Sequence, residues 1–418
     1  MSRLSAVDAQ MFWMSAKVPN DQFLVYGFAG EPADLEQALD EVRARADGCA
    51  ELKLRVDDRS VFGYPRWVTG DVRQDQFVVH HLSDRSWAGC LTAIAGLGQE
   101  QLDASVATWW LHFFASAGGL PGGGSGTVAV LQVSHALGDG IRSSALAAYL
   151  FGRAETVPAV AAPSPCRVAT LPWRAVEAAR THRQLVRDTE AGVVPPQADS
   201  RPALRSNSRP AGTRNVRTLI RGRGEVTGPT VTVGVLAALS TALAGHLREL
   251  GDDPAMLGAE VPMAKAGARQ AHNHFGNVGV GLYPGLEFGE RAVRIARDLA
   301  RRRCRGAHPA MLAASRAFAA VPAPLLRWGV AQFDPDARSP TVTGNTVVSS
   351  VNRGPADLHF GGTQVVLTAG YPGLSPMMGL THGVHGIGET IAISVHAAES
   401  AIGDIDAYVD RLDAALRP

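Results

Sequence analysis

The sequence predicts an α/β protein of two domains, on three observations. The chain has 418 residues, more than one core usually organises and suited to two domains of roughly 200 residues each. Both halves alternate short apolar runs with segments of helical spacing. Between them, residues 152–215 become rich in Pro, Ala, Arg and Ser. The section 191–215 reads as a mobile crossover linker between a first domain at 1–190 and a second at 216–418.

The first half opens its sheet with D-Q-F-L-V-Y-G-F-A-G at 21–30. A helix follows, with Leu35, Leu39 and Val42 at helical spacing and Asp34 placed to cap it. Strands are expected at Leu52–Val56, Arg66–Val68 and 76–82. The glycine cluster at 118–126 predicts a turn or flexible loop. T-V-A-V-L-Q-V-S at 127–134 has the continuous apolar character of a central strand. I-R-S-S-A-L-A-A-Y-L-F then predicts a helix with Ile141, Ala145, Leu146 and Tyr149 on one side.

In the second half, T-V-T-V-G-V-L-A-A-L-S-T-A-L-A-G-H-L-R-E-L-G predicts a long apolar helix ended by Gly251. Strands are expected around 256–263, 346–355, 363–372 and 389–397, with helices at 290–303 and 401–416.

Composition excludes several functions. Hydrophobic residues make up 46% of the chain and charged residues 19%, with 40 basic against 39 acidic, a net charge of +1. Nothing there points to nucleic acid. Cys49, Cys90, Cys166 and Cys304 stand far apart with no C-x-x-C pair, the usage of a reduced, cytoplasmic protein. The N-terminus lacks the apolar core of a signal peptide. No run of 18 apolar residues predicts a transmembrane span, although peripheral membrane contact stays open.

The chemistry concentrates at L-Q-V-S-H-A-L-G-D-G-I, residues 131–141. Here a strand meets a helix through a tight turn, with His135 followed by Gly138, Asp139 and Gly140. A general base needs a neutral imidazole whose ring is held and whose free nitrogen faces a cavity. Asp139 is placed to pin the turn through backbone amides or a basic residue. Gly138 and Gly140 read as positions whose backbone angles exclude other residues. Read alone, H-x-x-x-D-G is short, and a histidine at a strand end is commonly structural.

S-H-A-L-G-D-G resembles the H-H-x-x-x-D-G motif of the CoA-dependent acyltransferase superfamily, which includes chloramphenicol acetyltransferase and the condensation domains of peptide synthetases. Further segments narrow the resemblance to the bacterial wax ester synthase/diacylglycerol acyltransferase family. L-S-A-V-D-A-Q-M-F-W at 4–13 is similar to that family's opening L-S-x-x-D-A-x-F, and L-D-A-S-V-A-T-W-W at 102–110 to its P-L-D-x-S-x-P-L-W. The 230–243 helix, F-G-N-V-G-V-G-L-Y-P and V-S-S-V-N-R-G-P resemble later elements, in the same order.

The resemblance implies two chloramphenicol-acetyltransferase-like subdomains, each a mixed sheet with flanking helices, around a central tunnel. It implies acyl transfer from acyl-CoA to the hydroxyl of a lipophilic or secondary-metabolite alcohol. His135 is the implied base, Asp139 the structural aspartate and Gly140 the turn glycine. No metal or redox cofactor is implied, and acyl-CoA is a co-substrate. Ser134, Asn277, Asn352 and His385 are further candidates for lining or supporting the tunnel.

The sequence also departs from the pattern. Ser134 stands where the first histidine would be, and on a strand it would face away from His135. The V-P-V-S-x-R strand reads V-P-M-A-K-A, losing an arginine for which Lys265 or Arg269 are substitutes. These changes keep two alternatives open: a condensation-type transferase using a carrier-protein thioester or an amine acceptor, and a catalytically degenerate binding member. His80-His81 is a tandem pair with no D-G after it and reads as a strand pair at a sheet edge. H-N-H at 272–274 and H-G-V-H at 382–385 lack a third ligand nearby, so no metal site is expected. The R-R-R-C-R run at 301–305 reads as a solvated helix face or a contact for CoA phosphates.

Overall fold

The computed structural model describes residues 2–120, 124–154, 156–161 and 168–417. Cys166 and the tip of the 118–126 glycine loop lie outside these residues. Among the described residues two six-stranded mixed sheets carry the architecture, with helices flanking both, as the sequence predicts.

The first sheet runs in the order His359–Phe360, Thr363–Gly370, Gln22–Ala29, Ser125–Val133, Trp109–Gly118, Phe77–His80. Ser125–Val133 is central and buried almost throughout, which explains its unbroken apolar sequence. Its buried Gln132 donates to Asp21 Oδ2 at 2.8 Å and to the Glu100 carbonyl at 2.7 Å. The second sheet runs Phe275–Gly281, Gly258–Ala264, Thr346–Asn352, Leu380–Ile387, Thr390–Ala398, Arg214–Gly222.

Two features differ from expectation. Thr363–Gly370 pairs with Gln22–Ala29, so a strand from the second half of the chain completes the first sheet. A single division of the chain at 191–215 therefore does not coincide with the division between sheets. Nor is that linker loose. Arg201–Pro202 pairs with Thr341–Val342, and buried Asn207 donates to the carbonyls of Gly344 and Met377, each at 3.1 Å.

Each sheet carries its own core. Leu39, Trp109, Leu131, Leu146, Phe151 and Phe360 pack in the first. Leu239, Leu243, Ile295, Val384, Ile393 and Tyr408 pack in the second. The apolar helix Val231–Glu249, long enough to cross a membrane, is mostly buried in this second core. A third cluster joins Val25, Phe114 and Val130 of the first sheet to Val216 and Ala392 of the second. Burial of apolar surface thus fixes the two lobes to each other.

Candidate functional site

The strand Ser125–Val133 ends two residues before His135, and the helix Gly140–Leu150 begins five residues after it. Asp139 caps that helix, accepting from the Arg142 amide at 3.1 Å. Its other oxygen accepts from Arg269 Nη1 at 2.7 Å and from the His274 amide at 2.9 Å. Of the two substitutes read from the sequence, Arg269 is therefore the one that reaches Asp139. Burial pushes the Asp139 carboxyl up, and Arg269 with the two amides reverses this, leaving it below the usual range.

The glycines act differently from expectation, because neither Gly138 nor Gly140 has a positive φ. They are needed for space. A Cβ on Gly138 would lie 2.9 Å from the Arg142 Cβ, and one on Gly140 would lie 3.3 Å from Val351 Cγ2. The helix also turns a different face inward. Arg142, Leu146, Ala147 and Leu150 are buried, while Ile141 is exposed to the cavity.

His135 is partly buried, with its ring stacked on Phe275 at 5.7 Å between centroids. Its Nδ1 lies 2.8 Å from Asn273 Oδ1. The Asn273 amide nitrogen donates to Asp8 Oδ1 at 3.0 Å and to the His135 carbonyl at 2.7 Å. Both partners are acceptors, so this nitrogen cannot be exchanged with Oδ1. The Oδ1 facing His135 must accept, and Nδ1 therefore carries the proton. Nε2 is left as the free acceptor of a neutral imidazole. Burial drives the His135 pKa down, and its own backbone and Asn273 offset this only in part.

Asp8 anchors the arrangement from the helix Ala6–Ser15. It is 1% exposed and accepts from Ser5 Oγ at 2.7 Å, the His272 amide at 3.0 Å and the Asn273 amide at 2.9 Å, besides the Asn273 side chain. Neither Asp8 nor Asn273 emerges from sequence reasoning as a site residue. Asn273 sits within H-N-H, where the flanking histidines draw attention first. His272 is structural, stacked on Trp67 with Nδ1 at 2.9 Å from the Leu137 carbonyl.

The site opens into a cavity of about 1260 Å³ between the lobes. His135, Asp139 and Ile141 reach it from the first lobe, and Met263, Phe275 and His385 from the second. Asn277 also lines it, donating to Glu260 at 2.5 Å. Ser134 and Asn352 are not among the lining residues. The strand has ended before Ser134, so strand alternation does not govern it; it is buried, and its Oγ accepts from the Ala136 amide at 3.4 Å. Asn352 is exposed and caps a turn through the Gly354 amide at 3.2 Å. In the arginine run, Arg302 and Arg305 bind the carbonyls of Pro196 and Pro195, while Arg303 lines the cavity. His80 ends the edge strand of the first sheet and meets His112 at 2.9 Å. Among the described residues, no group of three His, Cys, Asp or Glu is placed to hold a metal ion.

No protein-family model and no curated protein matches the sequence. Solved structures do match the coordinates. The wax ester synthase/diacylglycerol acyltransferase from Marinobacter aquaeolei VT8 superposes with a TM-score of 0.66 at 18% identity, over 99% of this chain and 98% of that one. The chain has the two-lobed condensation fold. A mutant starter condensation domain of rhizomide synthetase RzmA, solved with C8-CoA and Leu-SNAC, shares it at a TM-score of 0.58 and 14% identity, over 99% of this chain and 92% of that one. The condensation domain of the Monacolin K polyketide synthase MokA shares it at 0.54 and 15%, over 99% and 96%. In this condensation fold His135 stands on the wall of the cavity between the lobes.

Proposed function

We propose that the protein is an O-acyltransferase that moves an acyl group from acyl-CoA to the hydroxyl of a lipophilic alcohol. One observation carries the reading: a cavity-lining histidine whose Nδ1 is held by Asn273 and whose Nε2 is free. His135 Nε2 removes the hydroxyl proton as the alcohol oxygen attacks the thioester carbonyl. The C–S bond then breaks, and the imidazolium returns the proton to the departing thiolate. The protein is not acylated, and these steps call on no metal or redox cofactor. The size of the cavity and side chains such as Met263, Phe275 and Ile141 suit long apolar substrates. Relatives in fold support an acyl thioester as donor, one being named an acyltransferase and another solved with C8-CoA.

The test is a thiol-release screen of purified protein, pairing acyl-CoAs of graded length with primary alcohols and following ester formation by mass. Ester formation that tracks thiol release supports the reading. Thiol release only from acyl groups on a phosphopantetheinylated carrier protein, or only with amine acceptors, replaces it with condensation-type transfer.

A further inference from the structure

Arg353 follows the strand Thr346–Asn352 and lines the same cavity while being 5% exposed. Among the described residues it has no carboxylate partner: Asp357, four residues on, is held by Arg153 through Nε at 3.0 Å. Arg353 Nη1 donates to Thr368 Oγ1 and to the Val25 carbonyl. The guanidinium lies over the Tyr26 ring, 5.1 Å from its centroid. Its Nε has no hydrogen-bond partner among the described residues. The Nε–Nη2 edge of the fork is thus unused. A buried cation without a counter-ion is costly to hold.

Two neighbours shape the space beside it. His385 lines the cavity, is 5% exposed, and its Nδ1 also lacks a partner. Gly370, at the end of Thr363–Gly370, lines the cavity against both residues. A Cβ there would lie 3.0 Å from Arg353 Nη2 and 2.9 Å from His385 Cε1. The glycine therefore lets Arg353 Nη2 and the His385 ring come up against its backbone at the cavity wall, where any side chain would press on both.

We propose that Arg353, with His385 and Gly370 beside it, forms a carboxylate-binding site inside the cavity, so that one substrate of the transfer carries a carboxylate besides its reacting group. This deepens the acyltransferase reading and rests on it for the role of the bound molecule. The planar guanidinium edge matches the two oxygens of a carboxylate, which would supply the missing counter-charge. An apolar stem on such a molecule would lie against Met263, Phe275, Ile141 and the other apolar side chains that line the cavity. The carboxylate belongs either to a hydroxy-acid acceptor or to the far end of a dicarboxylic acyl group.

Calorimetric titration of the full chain with octanoate and with 1-octanol tests the site without turnover. Wild type binds octanoate at least about tenfold more tightly than octanol, and Arg353→Met removes that advantage while keeping octanol binding. Gly370→Ala keeps the arginine but presses on its Nη2 and on the His385 ring, and also diminishes the advantage; it carries the test if Arg353→Met does not fold. Equal binding of the two probes by wild type, or an octanoate advantage that survives Arg353→Met, overturns the proposal. Turnover then distinguishes the sources. Preference for 12-hydroxydodecanoate over 1-dodecanol with octanoyl-CoA places the carboxylate on the acceptor. Preference for a dicarboxylic monothioester of CoA over octanoyl-CoA with 1-dodecanol places it on the acyl group. If the unsubstituted pair is preferred over both, the proposal falls. An octanoate advantage with no thiol release from any pair counts against acyl transfer and leaves the site standing.

Discussion

Asn273 Oδ1 and His135 Nδ1 lie 2.8 Å apart, and the same asparagine is held by Asp8 through both its backbone and side-chain nitrogens. This bond sets the tautomer of the proposed base and the direction of its ring from the opposite lobe. Asn273→Leu removes the acceptor at similar size. It is expected to lower kcat by about 100-fold, the cost of a misplaced reacting group, with KM changed much less. Steady-state kinetics checks this; an unchanged kcat would show that the ring is held by other means.

The pH dependence follows from burial of His135, which holds its pKa below the usual histidine value. A lowered pKa keeps the base neutral as pH falls through 6.5. The kcat/KM profile should stay level from pH 8 down past 6.5 and decline only at lower pH. An acidic limb with its midpoint at 7 would show that burial does not lower the pKa of the base.

Arg269 and Asp139 form a nearly buried pair, with side chains 10% and 6% exposed. Arg269→Ala strands the carboxylate and should cost about 3–5 kcal/mol in chemical unfolding. Pairing it with Asp139→Asn should cost less than the two single substitutions added together, because the uncompensated charge is gone. Strict additivity would mean that the two residues do not interact.

Histidine burial also predicts acid sensitivity of the fold. His112 and His396 are pushed down to about 4, and His272 and His382 to about 3. Below pH 6.5 the unfolded chain binds protons that these folded rings refuse, so stability falls as pH drops toward 4. Each ring contributes up to about 1.4 kcal/mol per pH unit. Asp21, raised to about 6 by burial, works the other way, as do Asp8, Asp58 and Glu260. Among the described residues four carboxyls are raised against eight lowered histidines, so the loss prevails. Thermal unfolding should show Tm declining steadily between pH 6.5 and pH 5; a rising Tm would count against it.

The sequence made the strand–turn–helix around His135 legible because periodicity and turn residues are local signals. Asp34 caps its helix and Gly251 adopts the left-handed conformation, as read. What stayed hidden depends on distant chain segments meeting. Asn273 reaches His135 across 138 positions and Asp8 across 265. The strand exchange at Thr363–Gly370 has no local mark, since its alternation would suit either sheet. Gly138 was legible as a required glycine, but for the wrong reason: the constraint is the Arg142 side chain, which folds back beneath the turn. That Arg269 rather than Lys265 pairs with Asp139 depends on packing, which local sequence does not carry.

Everything proposed for the reaction turns on His135 Nε2 taking the proton in acyl transfer. The measurement that bears on it most directly is the steady-state rate of ester formation by wild type and by His135→Ala, with one acyl-CoA and alcohol pair that wild type turns over. With His135 as the base, kcat falls by about 10²–10⁴-fold while binding of acyl-CoA changes little. Ester formation by His135→Ala at a rate near that of wild type would contradict it.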